Sequence, residues 1–456
     1  MKLSVAGIVS TYSFADDVKC LLTRSGAVIL PYRERLDALS ADQVALLRQL
    51  NGGSATVGDD APPSTLELIS RLSSLGAVRT TVAAGDRKLY SLNPFRAPST
   101  ERPTQAPPSV APSRFTVVRR CGAAVVAENP MSWCDITFHD SAALSALFGL
   151  DDAALDADVV ARLRADALWA GHLSEPAVED AEFRTRSWSP HELWFHRRST
   201  VGNRLRGNAF AHFGPTRWAD GRGFEPLPAR RDAFPGATVE LPRPDLDALR
   251  ERDITLTAAI EDRRSVRSFD DDNPVSLDQL AELLYRSSRT RSVTTIGPQR
   301  AVPEELPSRP YPSGGSLYET EIYLVVRLAA GLDSGLYHYD SLDHVLRRVA
   351  DYDHPAVADL IAPSAVTLAD GRQPQVLLIP AARVGRIMWT YEQMPYAVIM
   401  KHVGVLTQTL YLIATSMGLG GVAQGYVDTQ AFAAATGNDE LVECGVGSFV
   451  VGSVRA

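Results

Sequence analysis

Three arginines and a serine fall within five residues, Arg263-Arg264-Ser265-Val266-Arg267, ahead of Ser268-Phe269 and the acidic turn Asp270-Asp271-Asp272. Guanidinium forks match a phosphate, the Ser265 hydroxyl adds a donor, and Arg267 can reach another part of the same ligand. Beside three carboxylates the run reads equally well as a solvated, self-neutralising surface. Two further stretches bear on the choice. Arg309 to Tyr318 contains Pro312-Ser313-Gly314-Gly315, and Met417 to Gly425 contains Gly418, Gly420 and Gly421 ahead of Gln424. Glycine carries no Cβ, so backbone built from it can approach a flat ring closely. Cys134, His139 and Asp140 have ligand chemistry, but a strand alternates faces and no fourth ligand is evident, so no metal is expected.

The elements that must position these residues follow from periodicity. Ile254, Leu256, Ala259 and Ile260 space as a buried helix face, which places the arginines where that helix ends. Ser276 to Gln279 opens a helix with Leu277, Leu280, Leu283 and Leu284 inward. Ile322, Leu324 and Val326 alternate with Tyr323 and Val325 as a strand, Leu336 to Tyr339 and Val345 to Val349 form a hairpin with His338 at the surface, and Val376 to Ile379 gives another strand. Tyr396 to Met417 is apolar nearly all round. Lys401, His402, Thr407 and Gln408 interrupt it and it runs into the glycine segment, so it reads as a core or subunit-interface helix rather than a membrane span. An antiparallel-rich α+β domain over 246–456 is expected.

The N-terminal half reads as two small modules. In 1–96, Val5 to Ser10 and Ala27 to Leu30 are strands, and capping boxes at Ser40 and Ser64 open two helices, the second ended by Gly76. A hairpin follows, Val78 to Val82 with Lys88 to Leu92, completing a winged-helix-like pattern. Its second helix carries only Glu67 and Arg71 as charges, too little for a nucleic-acid phosphate backbone. Proline-rich 97–114 reads as an extended linker. Element order then repeats loosely over 115–186, in strands Phe115 to Ala127 and Ser132 to Phe138 and helices Ala142 to Phe148 and Val159 to Trp169, with Gly171 as the stop. Exposed strand edges on two such modules suggest capture of an extended peptide by strand addition. A connector, 187–245, begins with a capping-box helix at Ser189.

With 456 residues, 45% hydrophobic and 22% charged, the chain is long enough for two or three domains. A net charge of -8 gives no general attraction for nucleic acid or anionic membrane. Its four cysteines lie far apart without a Cys-x-x-Cys pair or a secretory leader, so reduced thiols and a cytoplasmic location are expected.

The ordered set Arg-Arg-Ser-x-Arg-x-Phe, Pro-Ser-Gly-Gly and Gly-Leu-Gly-Gly resembles the motifs of nitroreductase-like FMN enzymes. Trp188, His191, Leu193, Phe195-His196-Arg197-Arg198-Ser199 and Leu241-Pro242-Arg243-Pro244 narrow the resemblance to SagB-type dehydrogenases over Ser187 to Ala456. These oxidise thiazolines and oxazolines in precursor peptides to thiazoles and oxazoles, alongside a cyclodehydratase. The resemblance implies that Arg263, Arg264, Ser265 and Arg267 hold FMN, that Pro312, Ser313, Gly314 and Gly315 lie against its ring, and that Gln424 and Gly425 lie near N5, where a backbone donor is expected. It also implies a homodimer with the flavin shared between subunits, so that Pro312 to Gly315 could serve the partner's flavin, and dioxygen as final acceptor. An azoline would lose a proton from the former Cα and a hydride, to the flavin, from the former Cβ.

Where many relatives carry Lys-Tyr, this chain reads Thr390-Tyr391-Glu392. Tyr391 then serves as base or proton shuttle if a neighbour lowers its pKa, with Glu392 as a substitute partner, or else it is a packing residue. Two other readings stay open at this point: an NAD(P)H-dependent nitro or quinone reductase on the same fold, and a non-catalytic scaffold subunit, which the missing lysine would favour.

Overall fold

Alternation in Thr320–Val326 builds the centre of the C-terminal half. The strand is buried along its whole length. Ile322, Leu324 and Val326 enter one apolar cluster, while Tyr323 and Val325 enter another on the opposite face. Each fully buried aliphatic side chain of this kind is worth about 1.5–3 kcal/mol over exposure, so the register of this strand is fixed by both layers. It pairs antiparallel with Gly335–Asp340 and Val376–Arg383. The eight-stranded sheet continues outward through Val345–Asp351 to Thr238–Glu240 on one side and through Ser448–Ser453 to Leu419–Gln424 on the other, with Glu443–Gly445 paired to Val376–Arg383. Helices Leu277–Ser288 and Pro395–Ser416 contribute to the first cluster; Pro355–Ala365 and Thr429–Thr436 cover the second. The domain is α+β, an antiparallel sheet between helices. The Ser276 capping box is present, with the Gln279 amide donating to the Ser276 hydroxyl at 3.2 Å.

The computed structural model describes residues 7–58, 60–150, 154–200, 215–216, 218–219, 223–297, 303–369 and 371–455. It divides into Met1–Ala209 and Phe210–Ala456. The expected connector is therefore split, and 201–214 of it lies outside the described residues. Its helix, Pro190–Arg198, belongs to the first unit, where Trp194 Nε1 donates to the Phe115 carbonyl at 3.1 Å and Arg198 pairs with buried Glu128 at 2.7 Å. Its last strand, Thr238–Glu240, belongs to the sheet of the second.

Within the first unit the two expected modules share one seven-stranded sheet. The wing strand Arg87–Pro94 pairs with Cys134–Phe138 of the second module. The proline-rich 97–114 stretch is packed rather than free: Val110 and Ser113 are buried, and Ala111–Pro112 pairs with Leu173–Ser174. Fully buried Asp166 explains part of this, because it accepts from Tyr90 at 2.8 Å and pairs with Arg102 of that stretch and with Arg162. A buried carboxylate needs such partners. Capping boxes at Ser40 and Ser189 and the left-handed stop at Gly171, φ 84°, are as expected. The Ser64 box is not. Helix Pro63–Ser74 starts earlier, at the Pro62-Pro63 step, where proline supplies helical φ without needing a donor.

Candidate functional site

Ser265 lies as a parallel bridge against Gly421, and the Val266 amide donates to the Gly421 carbonyl at 2.9 Å. The arginine stretch is thus laid along the outer edge of Leu419–Gln424. Close approach demands the glycines there: a Cβ on Gly420 would come within 2.7 Å of Val266, and one on Gly421 within 2.4 Å of the Phe449 ring. Tyr411, on the long helix, ties both strands. Its hydroxyl is 3.1 Å from the Ser265 hydroxyl and accepts from the Ala423 amide at 2.8 Å, and the Arg263 guanidinium sits 5.2 Å above its ring.

The acidic turn does not neutralise the arginines. Asp271 accepts from Arg327, at 2.7 and 2.8 Å, and from the Gln375 side-chain amide at 3.4 Å, while Asp270 accepts from Asn273 and faces Arg455. Among the described residues no carboxylate pairs with Arg263, Arg264 or Arg267, of which the last two are exposed. A surface cluster of the bland kind would have closed on its own carboxylates; this one presents donors outward beside a glycine-lined strand. That is what a phosphate-bearing flat cofactor requires, so these residues fit FMN. The expected buried face behind them is corrected, however. In helix Leu256–Asp262 only Ala259 is buried, and Ile254, Leu256 and Ile260 are 42%, 67% and 50% exposed. Nothing among the described residues of this chain covers that apolar face.

Gln424 turns its side chain inward. Its amide nitrogen donates to Ser364 O and Thr367 Oγ1, and its oxygen accepts from Ser448. Only its backbone is left to serve a ligand. Gly425 is exposed with open space around it.

The loop Pro312 to Gly315 sits elsewhere. It leads into a tight turn with left-handed backbone at Gly315, Ser316 and Tyr318, φ 63°, 55° and 44°. Ser313 Oγ accepts from the Tyr318 amide at 3.1 Å, the Tyr318 hydroxyl donates to the Tyr311 carbonyl at 2.7 Å, and Arg386 Nε donates to Leu317 O at 2.8 Å. The Gly314 amide donates to His402 Nε2 at 2.7 Å. His402 and Tyr411 are nine residues apart on one helix, about two and a half turns and about 13 Å along the axis. They point to opposite sides. Within one chain, therefore, the helix stands between the arginine stretch and the glycine loop, and no hydrogen bond or ion pair joins the two among the described residues.

Tyr391 belongs with the loop. It packs against the cluster that holds Leu317, Ile387 and Val398, and it lines an open 390 Å³ pocket with Trp218, Met388, Glu392, Gln393 and Pro395. No neighbour lowers its pKa. Burial, and then the charge of Glu304, push it above the usual tyrosine value. Thr390 is fully buried and donates to Glu304 at 3.1 Å.

Sequence reasoning missed Tyr411, His402 and Glu319 as site residues, and placed His338 at the surface. His338 is 3% exposed and bonds Glu321 at 3.1 Å, because its strand is central in the sheet and Phe234 covers it. The one local signal was a histidine and a tyrosine inside a largely apolar helix.

Residues 260–452 match the nitroreductase family model. They form a nitroreductase-family domain. Residues 110–205 match the model of the cyanobactin oxidase ThcOx. A protein of Methanocaldococcus jannaschii named as a nitroreductase is 28% identical over 192 residues, 42% of this chain and 85% of its own length. Among solved structures, a nitroreductase from Ralstonia eutropha is 22% identical, covering 54% of this chain and 99% of that one, with a TM-score of 0.37. The Escherichia coli microcin synthetase McbBCD complex with truncated pro-MccB17 bound is 19% identical over 60% of this chain and 96% of the matched one, with a TM-score of 0.35. The two family models together describe a nitroreductase domain preceded by a cyanobactin-oxidase segment. FMN is the cofactor of the nitroreductase family.

Proposed function

We propose that this chain is an FMN-dependent dehydrogenase that oxidises peptide thiazolines or oxazolines to thiazoles or oxazoles. What supports the reading is the occurrence, in one chain, of a cyanobactin-oxidase segment and a nitroreductase domain whose arginine stretch has no carboxylate partner among the described residues. FMN, when bound, supplies the two-electron acceptance that aromatisation of an azoline needs. Arg263, Ser265 and Arg267, with Arg264 beside them, hold its phosphate and polar ring edge. Backbone at Gln424 and Gly425 lies near N5. Pro312, Ser313, Gly314 and Gly315 line the ring of a second copy, since the long helix separates them from their own chain's arginines. A homodimer also accounts for the exposed Ile254, Leu256 and Ile260, and for a long apolar helix of which only six of 22 residues are buried. Tyr391, kept protonated by burial and Glu304, moves a proton as a shuttle rather than as a resident tyrosinate. The partners are an azoline-bearing precursor peptide and a cyclodehydratase, the terminal acceptor is dioxygen, and the location is the cytoplasm.

The Methanocaldococcus relative favours a second reading, a nitro or quinone reductase fed by NAD(P)H. An anaerobic visible spectrum separates them. Bleaching of the bound flavin by a thiazoline peptide alone is the expected result; bleaching by NADPH and not by the peptide would establish the reductase instead.

A further inference from the structure

Six residues of the long helix Pro395–Ser416 are buried, and five are aliphatic. The sixth is His402, 5% exposed. A polar ring inside an apolar seam is costly unless every polar atom is bonded, and both its nitrogens are. Nδ1 lies 2.8 and 3.1 Å from the two oxygens of Glu319, a residue with no exposure at all. Nε2 lies 2.7 Å from the Gly314 amide. A backbone N–H can only donate, so Nε2 is the bare acceptor and Nδ1 carries the proton toward Glu319. One tautomer and one ring orientation are thereby fixed.

The loop that His402 holds needs holding. Three of its residues are left-handed, two of them with side chains, a conformation that persists only where surrounding contacts enforce it. It is also pressed hard on the helix: a Cβ on Gly314 would stand 3.3 Å from His402 Nε2 and 3.4 Å from Val398. We propose that His402, oriented by Glu319, is a positioning residue that pins the Gly314 amide and so sets the flavin-facing surface of Pro312 to Gly315. This rests on the reading that the loop lines the flavin ring. One corollary is that the Gly314 N–H is already used and is not a donor to the cofactor.

The test compares two amides in the full chain. In His402→Gln the side-chain oxygen can occupy the place of Nε2 and take the Gly314 N–H; in His402→Asn it is too short, although it keeps a donor for Glu319. FMN affinity by fluorescence quenching and hydrogen exchange of the 312–318 amides, with and without FMN, are read for both and for the parent. His402→Asn should bind FMN about tenfold or more weakly than His402→Gln and lose the exchange protection that FMN confers on the loop. Equal affinity and equal protection in the two variants would overturn the proposal. Should FMN leave 312–318 unprotected in the parent itself, the ring-lining reading fails first and takes the proposal with it. A His402→Leu chain that folds and keeps parental affinity would also overturn it.

Discussion

Two sets of arginines in the same domain behave oppositely. Arg309, Arg383 and Arg386 are 4%, 6% and 2% exposed, and their charge is spent on the fold. Arg309 donates to Thr320 O at 2.6 Å; Arg383 bonds Ala229 O and faces Glu321; Arg386 reaches the carbonyls of Leu317, Leu227 and Glu305 with three different nitrogens. Burial, with Arg383 and Arg309 nearby, pushes Arg386 down to about 10. Arg263, Arg264 and Arg267 have no such partners among the described residues, although three aspartates follow them directly in the chain. Composition alone cannot tell these sets apart. What separates them is whether nearby carbonyls and carboxylates close on the guanidinium or leave it to a ligand.

The sharpest break in that comparison is Arg386→Met. The methionine fills the space but leaves three carbonyls without their donor, so unfolding free energy should fall by about 3 kcal/mol or more, read by thermal melting of the apoprotein. An unchanged melt would remove the structural half of the contrast. Arg263→Ala should do the reverse. Apoprotein stability should stay within about 0.5 kcal/mol of the parent, while FMN affinity drops about ten- to a hundredfold, the worth of a charge-assisted phosphate contact. A variant that purified with full flavin would return the trio to the status of a solvated surface.

How much of this could be seen in the sequence depends on how local each cause is. Strand alternation at Ile322, Leu324 and Val326 and the capping boxes at Ser40, Ser189 and Ser276 act over a few residues, and they are found as expected. The three motifs expected to hold a flavin are also local, and two of them meet along Leu419–Gln424. What binds motif to motif is not local. Tyr411 meets Ser265 across 146 positions and His402 meets Glu319 across 83, separations at which no periodicity survives. The fused N-terminal sheet was hidden for the same reason, since Tyr90 pairs with Phe138 only in three dimensions. Ile254, Leu256 and Ile260 show another limit: a helical apolar stripe says that something covers it, without saying that the cover comes from the same chain.

Tyr391 carries the finest distinction, between a proton carrier and a packing residue. Two causes raise its pKa, burial first and the Glu304 charge second. Glu304→Gln keeps an oxygen for the Thr390 hydroxyl and deletes only the charge. The Tyr391 pKa should then fall toward, but not to, the usual value of about 10, because burial remains. This is visible as the difference between the tyrosinate titrations of Glu304→Gln and of Glu304→Gln with Tyr391→Phe. The linked stability has a definite sign. A group whose neutral form is favoured only in the folded chain makes that chain lose stability as pH rises beyond about 10, and Glu304→Gln should lose less. If Tyr391 moves a proton, the alkaline limb of the azoline oxidation rate should shift to lower pH in Glu304→Gln, and Tyr391→Phe should bind FMN normally yet turn over slowly. An alkaline limb that stays in place while the titration moves would leave Tyr391 a packing residue.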